Sequence, residues 1–370
     1  MAISIYTVKS GADLKSFMDF QYSLYKDDPY WIAPIRWEMR QRLDPKKGFL
    51  RKNPGTLFLA KDGREIVGRL SVSHLKQQKD FDCPEGNFGF YEATDDADVA
   101  KNLLGAGLDW LKNVGMKKAV GPYNFRLEDP HPGFLAEGFD LPPYFMMAHS
   151  KPYYLDQMEA SGFGKAMDLR TYELTKHHNF PADFLRKTEE ASCIPGLRLR
   201  NICLDRIYEE ANLIREIFNH AARKNWGHVP FSEADARNMA KTLRFILDPR
   251  IVFIAQVNER PVGIVINLPN YNELLWDCNG RIIPKGLLRF LLKKRNLKSL
   301  RAYGLAVIDE YQRSGLGSLL ILESFKAGVK AGYERAEISW VLSANNPMSN
   351  LAESAGSEIR KVYRLYQRLF

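Results

Sequence analysis

The sequence predicts an α/β protein built from two copies of one unit. Three observations predict it. The run F-L-A-K-D-G-R-E-I-V-G at 58–68 aligns without gaps to F-I-A-Q-V-N-E-R-P-V-G at 253–263, an offset of 195. Pro152, Glu159 and Gly162 recur as Pro347, Glu353 and Gly356, with the offset falling from 195 to 194. Between these, the helix end at 112–115 resembles the one at 330–332 at an offset of 217, as though each copy carries its own insertion, near 123–150 and near 270–298. The third observation is local: residues 301–331 read as a buried strand, a glycine-bearing turn and a helix. The copies are expected to join near 175–196, giving domains at 1–175 and 197–370 with a linker at 176–196.

Composition narrows the class. The 370 residues are 45% hydrophobic and 12% aromatic, enough for two sizeable cores and unlike a disordered chain. No stretch approaches 18 consecutive apolar residues, so no transmembrane helix is expected. The opening M-A-I-S-I-Y-T-V-K-S lacks the basic start and apolar core of a signal peptide. Cys83, Cys193, Cys203 and Cys278 are at least ten residues apart, a spacing that matches neither a zinc site nor a dense disulfide framework. No metal is expected, and a reducing cytoplasm fits. The net charge of +9 suits an anionic cofactor without implying DNA.

In the first copy, residues 3–8 alternate as a strand and 11–26 repeat apolar residues at helical spacing. An aromatic, proline-punctuated loop follows at 27–34. A hairpin turns at Asp62-Gly63, a helix covers 96–114, and the next strand lies at 117–120. Residues 121–154 have no clear period and are rich in aromatic residues, with Asn124, Arg126, Glu128, His131 and His149 among them. A long ordered loop of this kind reads as a lid or substrate wall, or as a cover over the interface between the copies.

The second copy restarts with a strand at 197–201, then helices at 206–224 and 232–247, the latter opened by Ser232 with Asp235 three residues on. Strands at 251–257 and 260–268 form the repeated hairpin. Within the insertion, residues 285–301 hold seven basic residues and no acid, with leucines at helical spacing. That pattern suits an anionic membrane surface, or a packed helix whose charges face water.

The turn itself is Gln312-Arg313-Ser314-Gly315-Leu316-Gly317, followed by Ser318. The first amides of a helix have no partner inside it, and the helix dipole adds partial positive charge there. A glycine turn feeding such an end is a way to hold a phosphate. Shifting back by 217 lands on Asp95–Ala100, where three carboxylates stand and no glycine does. The first copy is therefore expected to keep the fold without the anion site.

The run L-A-V-I-D-E-Y-Q-R-S-G-L-G-S resembles the signature of the GCN5-related N-acetyltransferase (GNAT) superfamily, with Gln312 where the family often has arginine. The resemblance covers 197–370 well and 1–175 as a degenerate copy; uncharacterised bacterial tandem proteins share the phrases G-F-D-L-P-P-Y-F-M-M and N-P-M. It implies two tandem acyl-CoA N-acyltransferase folds, each a mixed central β-sheet flanked by helices. It implies a transferase that moves an acetyl or other acyl group from acetyl-CoA, or another acyl-CoA, to an amine on a small molecule or peptide. Backbone at Leu305 and Val307 would meet pantetheine and the acyl carbonyl, residues 312–318 the pyrophosphate, and Asn345 would complete the cofactor site. Asn124, Trp226, His228 and Tyr271 are candidate substrate contacts, although Trp226 equally suits core packing. The tyrosine that often protonates the leaving thiolate is replaced by Ala352, which leaves Tyr363 or Tyr366 as stand-ins. Two alternatives remain at this stage: a GNAT-fold module without catalysis that binds a ligand or partner, and an aminoacyl-tRNA-dependent transferase.

Overall fold

A computed structural model describes residues 3–76, 83–281, 292 and 296–370. Most of the basic run expected as a helix at 285–301 lies outside the described residues. The described chain forms two compact units. The first comprises 1–169, 274–291 and 361–370, and the second 170–273 and 292–360. These units cut across the expected boundaries. Segments distant in sequence complete each sheet, and local patterning carries no sign of that.

In the first unit, β1 (Ser4–Thr7), β2 (Gly55–Asp62), β3 (Glu65–Ser73) and β4 (Glu85–Ala93) form an antiparallel meander. β5 (Lys118–Gly121) joins β4 in parallel. β6 (Phe134–Glu137) lies in the long loop of this copy. α1 (Gly11–Leu24), α2 (Arg36–Leu43), α3 (Ala97–Asn113) and α4 (Tyr154–Ala160) complete the unit. Ser10 and Asp13 close a capping box at the start of α1, and Asp96 caps α3 by accepting from the N–H groups of Asp98 and Val99. One face of α3, carrying Leu103, Leu104, Leu108 and Leu111, is buried in a cluster with Leu70, Val72 and Phe88.

The second unit repeats the order. β8 (Leu197–Asn201), β9 (Phe253–Val257), β10 (Arg260–Pro269) and β11 (Ser299–Val307) are antiparallel neighbours, and β12 (Arg335–Leu342) joins β11 in parallel. Its helices are α5 (Ala182–Ser192), α6 (Ile207–Ala221), α7 (Glu233–Ile246), α9 (Leu316–Lys330) and α10 (Asn346–Ser354); the short α8 (Asn272–Leu275) follows β10. The expected Ser232–Asp235 capping box opens α7. The expected tandem of α/β units is therefore present.

The closing strands come from an exchange. β7 (Gly164–Thr175) leaves the first copy, and its residues 170–175 belong to the second unit, beside β12. β13 (Glu358–Leu369) leaves the second copy, and its residues 361–369 belong to the first unit, where Tyr366–Leu369 pair antiparallel with β5. Residues 176–196 are not a free linker. Phe184 is fully buried on α5 and clusters with Ile321, Leu322 and Ala355. His178 holds the Ala355 carbonyl through Nε2 at 2.6 Å.

Inside the first unit lies a buried polar knot. Glu92, on β4, accepts from Tyr25 at 2.9 Å, Tyr154 at 2.7 Å and Gln21 at 2.7 Å, and faces Arg69 at 3.5 Å. Burial pushes the Glu92 carboxyl up, and the Arg69 guanidinium opposes that rise. Removing one partner strands the other charge in the core. Arg69→Met is expected to cost about 3 kcal/mol of stability in urea unfolding, and adding Glu92→Gln to recover part of the loss.

Candidate active site

The site of the second unit is built from three chain ends: the C-terminal end of β11, the N-terminus of α9 and the loop after α6. β11 pairs with β12 only from Ser299 to Ala302, and its register on β10 skips Tyr303. From there β11 follows β10 alone. Ile308 donates to Val262 at 3.0 Å. Because N–H groups alternate along a strand, those of Ala306 and Gly304 also face β10, while Leu305 and Val307 point to the opposite, unpaired edge. These are the two backbone positions named for pantetheine.

The turn beyond the strand runs through a short 3-10 segment, Asp309–Tyr311, to Gly315. Gln312 ties the turn to the strand end, donating through Nε2 to the Val307 carbonyl at 3.3 Å and to Asp309 at 3.1 Å. Its side chain is thus a brace. Gln312 and Arg313 are exposed, Ser314, Gly315 and Gly317 half-buried, and Leu316 and Ser318 buried. The first N–H of α9 to be bonded along the helix is that of Leu319, to Gly315. The N–H groups of Leu316, Gly317 and Ser318 therefore point out of the helix end unpaired. Among the described helices of eight residues or more, α9 is the one with neither a capping side chain nor an acid in its first turn. The Arg313 side chain makes no ion pair with a described residue. The end is electropositive and unspent, as an anion site requires.

The two glycines differ in what surrounds them. Gly315 has φ +79°, and a Cβ there would fall on the Lys187 carbonyl of α5. A Cβ on Gly317 would stand 3.1 Å from Leu351 Cδ2. Packing on α5 therefore requires glycine at 315, whereas at 317 a Cβ would fit once the Leu351 side chain turns aside.

The first unit answers the same positions differently. Gly68 opposes Ala93 and its repeat Gly263 opposes Val307, so Ala93 and Val307 are equivalent strand ends. Three residues, 94–96, then lead into α3, where eight, 308–315, lead into α9. The constant shift of 217 is thus corrected: the phosphate turn has been shortened by five residues and closed by Asp96. The edge of β4 is also filled. Tyr123 donates to the Phe88 carbonyl at 3.0 Å, and Asn124 Oδ1 accepts from Phe90 N–H at 2.9 Å. Asn124 Nδ2 donates to Pro130 at 3.1 Å, and Phe125 is buried with its ring stacked on Phe49. Asn124, named as a substrate contact, plugs the cleft of its own unit.

Several other named residues gather in the second unit. Asn345 caps α10 by accepting from Met348 N–H at 3.1 Å, and its Nδ2 reaches Asn225 at 3.4 Å in the loop after α6. The other end of that connection is also pinned: Arg223 and His220 face Asp309, just past β11, and Phe218 packs over Gly304. Trp226 and His228 sit half-buried in this loop. Burial holds His228 below the usual imidazole range, and its Nε2 is buried without a hydrogen-bond partner among the described residues. Tyr271 is buried, donates to the Ile246 carbonyl at 3.0 Å and is pushed up to about 12 by burial. Tyr363 and Tyr366 belong to the first unit and are buried in its core: Tyr363 opposes Leu135, and the Tyr366 ring lies 6.4 Å from that of Phe134. Ala352 is fully buried in a cluster with Tyr172, Leu174 and Ile338. Sequence reasoning missed Asn225, which nothing local in the chain marks.

A fold with a splayed parallel pair and an uncapped helix at its mouth defines a class. The acetyltransferase (GNAT) family model matches residues 211–356. The bacterial ceramide synthase of Caulobacter vibrioides (strain NA1000 / CB15N) is 35% identical over 99% of this chain and 97% of that protein. Protein YghO of Escherichia coli (strain K12) is 34% identical over 96% of this chain and 93% of its own. A tandem GNAT protein from the clavulanic acid biosynthesis pathway has the same fold, with TM-score 0.58 and 12% identity over 99% of this chain and 98% of that one. So does a GCN5-related N-acetyltransferase from Sphaerobacter thermophilus, with TM-score 0.57 and 13% identity over 99% and 95% of the two chains. The chain belongs to the GNAT family, and its fold is that of an acyltransferase.

The glycine geometry separates two substitutions. Gly315→Ala is expected to lose about 1–3 kcal/mol in thermal unfolding, from φ strain and the collision with α5. Gly317→Ala, which meets only a side-chain methyl that can turn aside, is expected to stay within about 1 kcal/mol of the parent.

Proposed function

We propose that the protein is an N-acyltransferase that uses acyl-CoA in its second unit and acylates the amine of a long-chain amino alcohol. The carrying observation is the uncapped N-terminus of α9 beside the unpaired edge of β11. The residues fit the group: amides of 316–318 and the Arg313 side chain for the pyrophosphate, and the N–H groups of Leu305 and Val307 for the pantetheine arm and acyl carbonyl. When bound, acyl-CoA supplies the acyl group as a thioester, activated towards an amine. The acceptor class rests on the ceramide synthase likeness, since a ceramide is the amide of a fatty acid with a long-chain amino alcohol.

His228 is the proton acceptor in this reading. A neutral imidazole takes the proton that the acceptor's ammonium must lose before its nitrogen can attack the thioester. The N–H groups of Leu305 and Val307 stabilise negative charge on the acyl oxygen. Ala352 cannot return a proton to the departing thiolate, and water fills that role. Asn345 and Asn225 hold the loop that carries His228.

Calorimetry with CoA tests the cofactor site. Arg313→Glu and Gly317→Glu are expected to weaken binding more than about thirtyfold, since each sets a carboxylate beside the pyrophosphate; unchanged affinity in both folded variants would overturn the site. Turnover of a long-chain acyl-CoA with sphinganine, against short-chain amines, tests the acceptor. His228→Gln is expected to lower kcat about a hundredfold or more with CoA affinity intact. The neutral form of His228 is the active one, so kcat falls as pH drops through its lowered pKa and holds above it.

A further inference from the structure

Residues 36–52 of the first unit make a two-sided layer that acyl transfer does not use. Its inner side is apolar: Met39 and Leu43 are buried in a cluster with Phe17 and Leu59, and Phe49 and Leu50 pack against it. Its outer side is basic. The stretch holds seven basic residues against two acidic ones. Both acids are engaged, Glu38 with Arg42 at 3.3 Å and Asp44 with Lys47 at 3.9 Å. Arg40, Lys46, Arg51 and Lys52 are exposed and form no ion pair with a described residue. On this charged side Trp37 is 71% exposed. A second tryptophan, Trp276, is 42% exposed on a neighbouring segment of the same unit, which joins α2 where Arg36 N–H donates to the Gly280 carbonyl at 3.0 Å.

We infer that this face docks on an anionic phospholipid surface. Exposed tryptophan among unpaired lysines and arginines is what a lipid headgroup layer accepts: the indole enters the interfacial zone while the cations meet phosphates. Charge alone would also suit a nucleic-acid duplex, but a duplex, with its bases already stacked, gives no reason for two tryptophans held out in water. No helix among the described residues is long and apolar enough to cross a membrane, and the contact inferred here is an interfacial one. The inference is independent of the acyl-transfer reading, because its test contains neither acyl donor nor amine.

The test is cosedimentation of the full chain with phosphatidylcholine vesicles, with and without phosphatidylglycerol. Binding is expected only with the anionic lipid, falling as salt rises. The Lys46→Glu, Lys47→Glu, Arg51→Glu, Lys52→Glu quadruple variant alters only exposed side chains and is expected to bind more than about tenfold more weakly. Trp37→Ser is expected to remove most of the fluorescence blue shift on vesicle addition. Thermal unfolding of each variant confirms that it is folded. Equal binding to neutral vesicles, full binding by the quadruple variant, or displacement of the vesicles by transfer RNA would overturn the inference, the last in favour of a polynucleotide surface.

Discussion

The second unit depends on the parting of two parallel strands. β11 and β12 share a ladder for only four residues, and the skip at Tyr303 on the β10 side accompanies the separation. A buried strand edge with unpaired N–H groups is costly unless something answers it. In the first unit the chain supplies the answer itself, with Tyr123 and the Asn124 side chain. In the second the edge stays available, and the uncapped end of α9 stands at its mouth. The same architecture thus carries one self-satisfied cleft and one unspent cleft. That difference, more than the identity of any single side chain, is why the proposed acyl-donor site lies in the second unit.

Much of this was legible in the chain. The hairpin repeat gave the duplication because register and turn are local properties: Gly63-Arg64 and Asn258-Glu259 are matching two-residue turns, each between two strands with buried runs. The α9 turn was legible because glycine and the missing cap are written in consecutive residues. The packing reason for Gly315 was not. Gly315 is small because the Lys187 carbonyl of α5 lies against it, more than a hundred residues away in sequence. Likewise a single offset between copies could not reveal a shortened turn, since Asp96 caps a helix equally well in either register.

The side-chain assignments were harder, because burial decides their meaning. Tyr363 and Tyr366 are three apart on β13 and so face opposite sides of the strand, and only the fold shows that both are buried. Asn124 looks like a recognition residue in sequence, yet its two hydrogen bonds run to backbone. His228 is the reverse case: a lone histidine in a loop is commonplace, and what distinguishes it is a desolvated ring nitrogen with no partner among the described residues.

The traded closing strands bear on how the protein is made. The first unit cannot complete its sheet while the ribosome is still translating the second, because β5 waits for residues synthesised about 250 positions later. Until then its inner edge is an open template that a neighbouring nascent chain could pair with. A frameshift near residue 361 would accordingly cripple the half that was translated first.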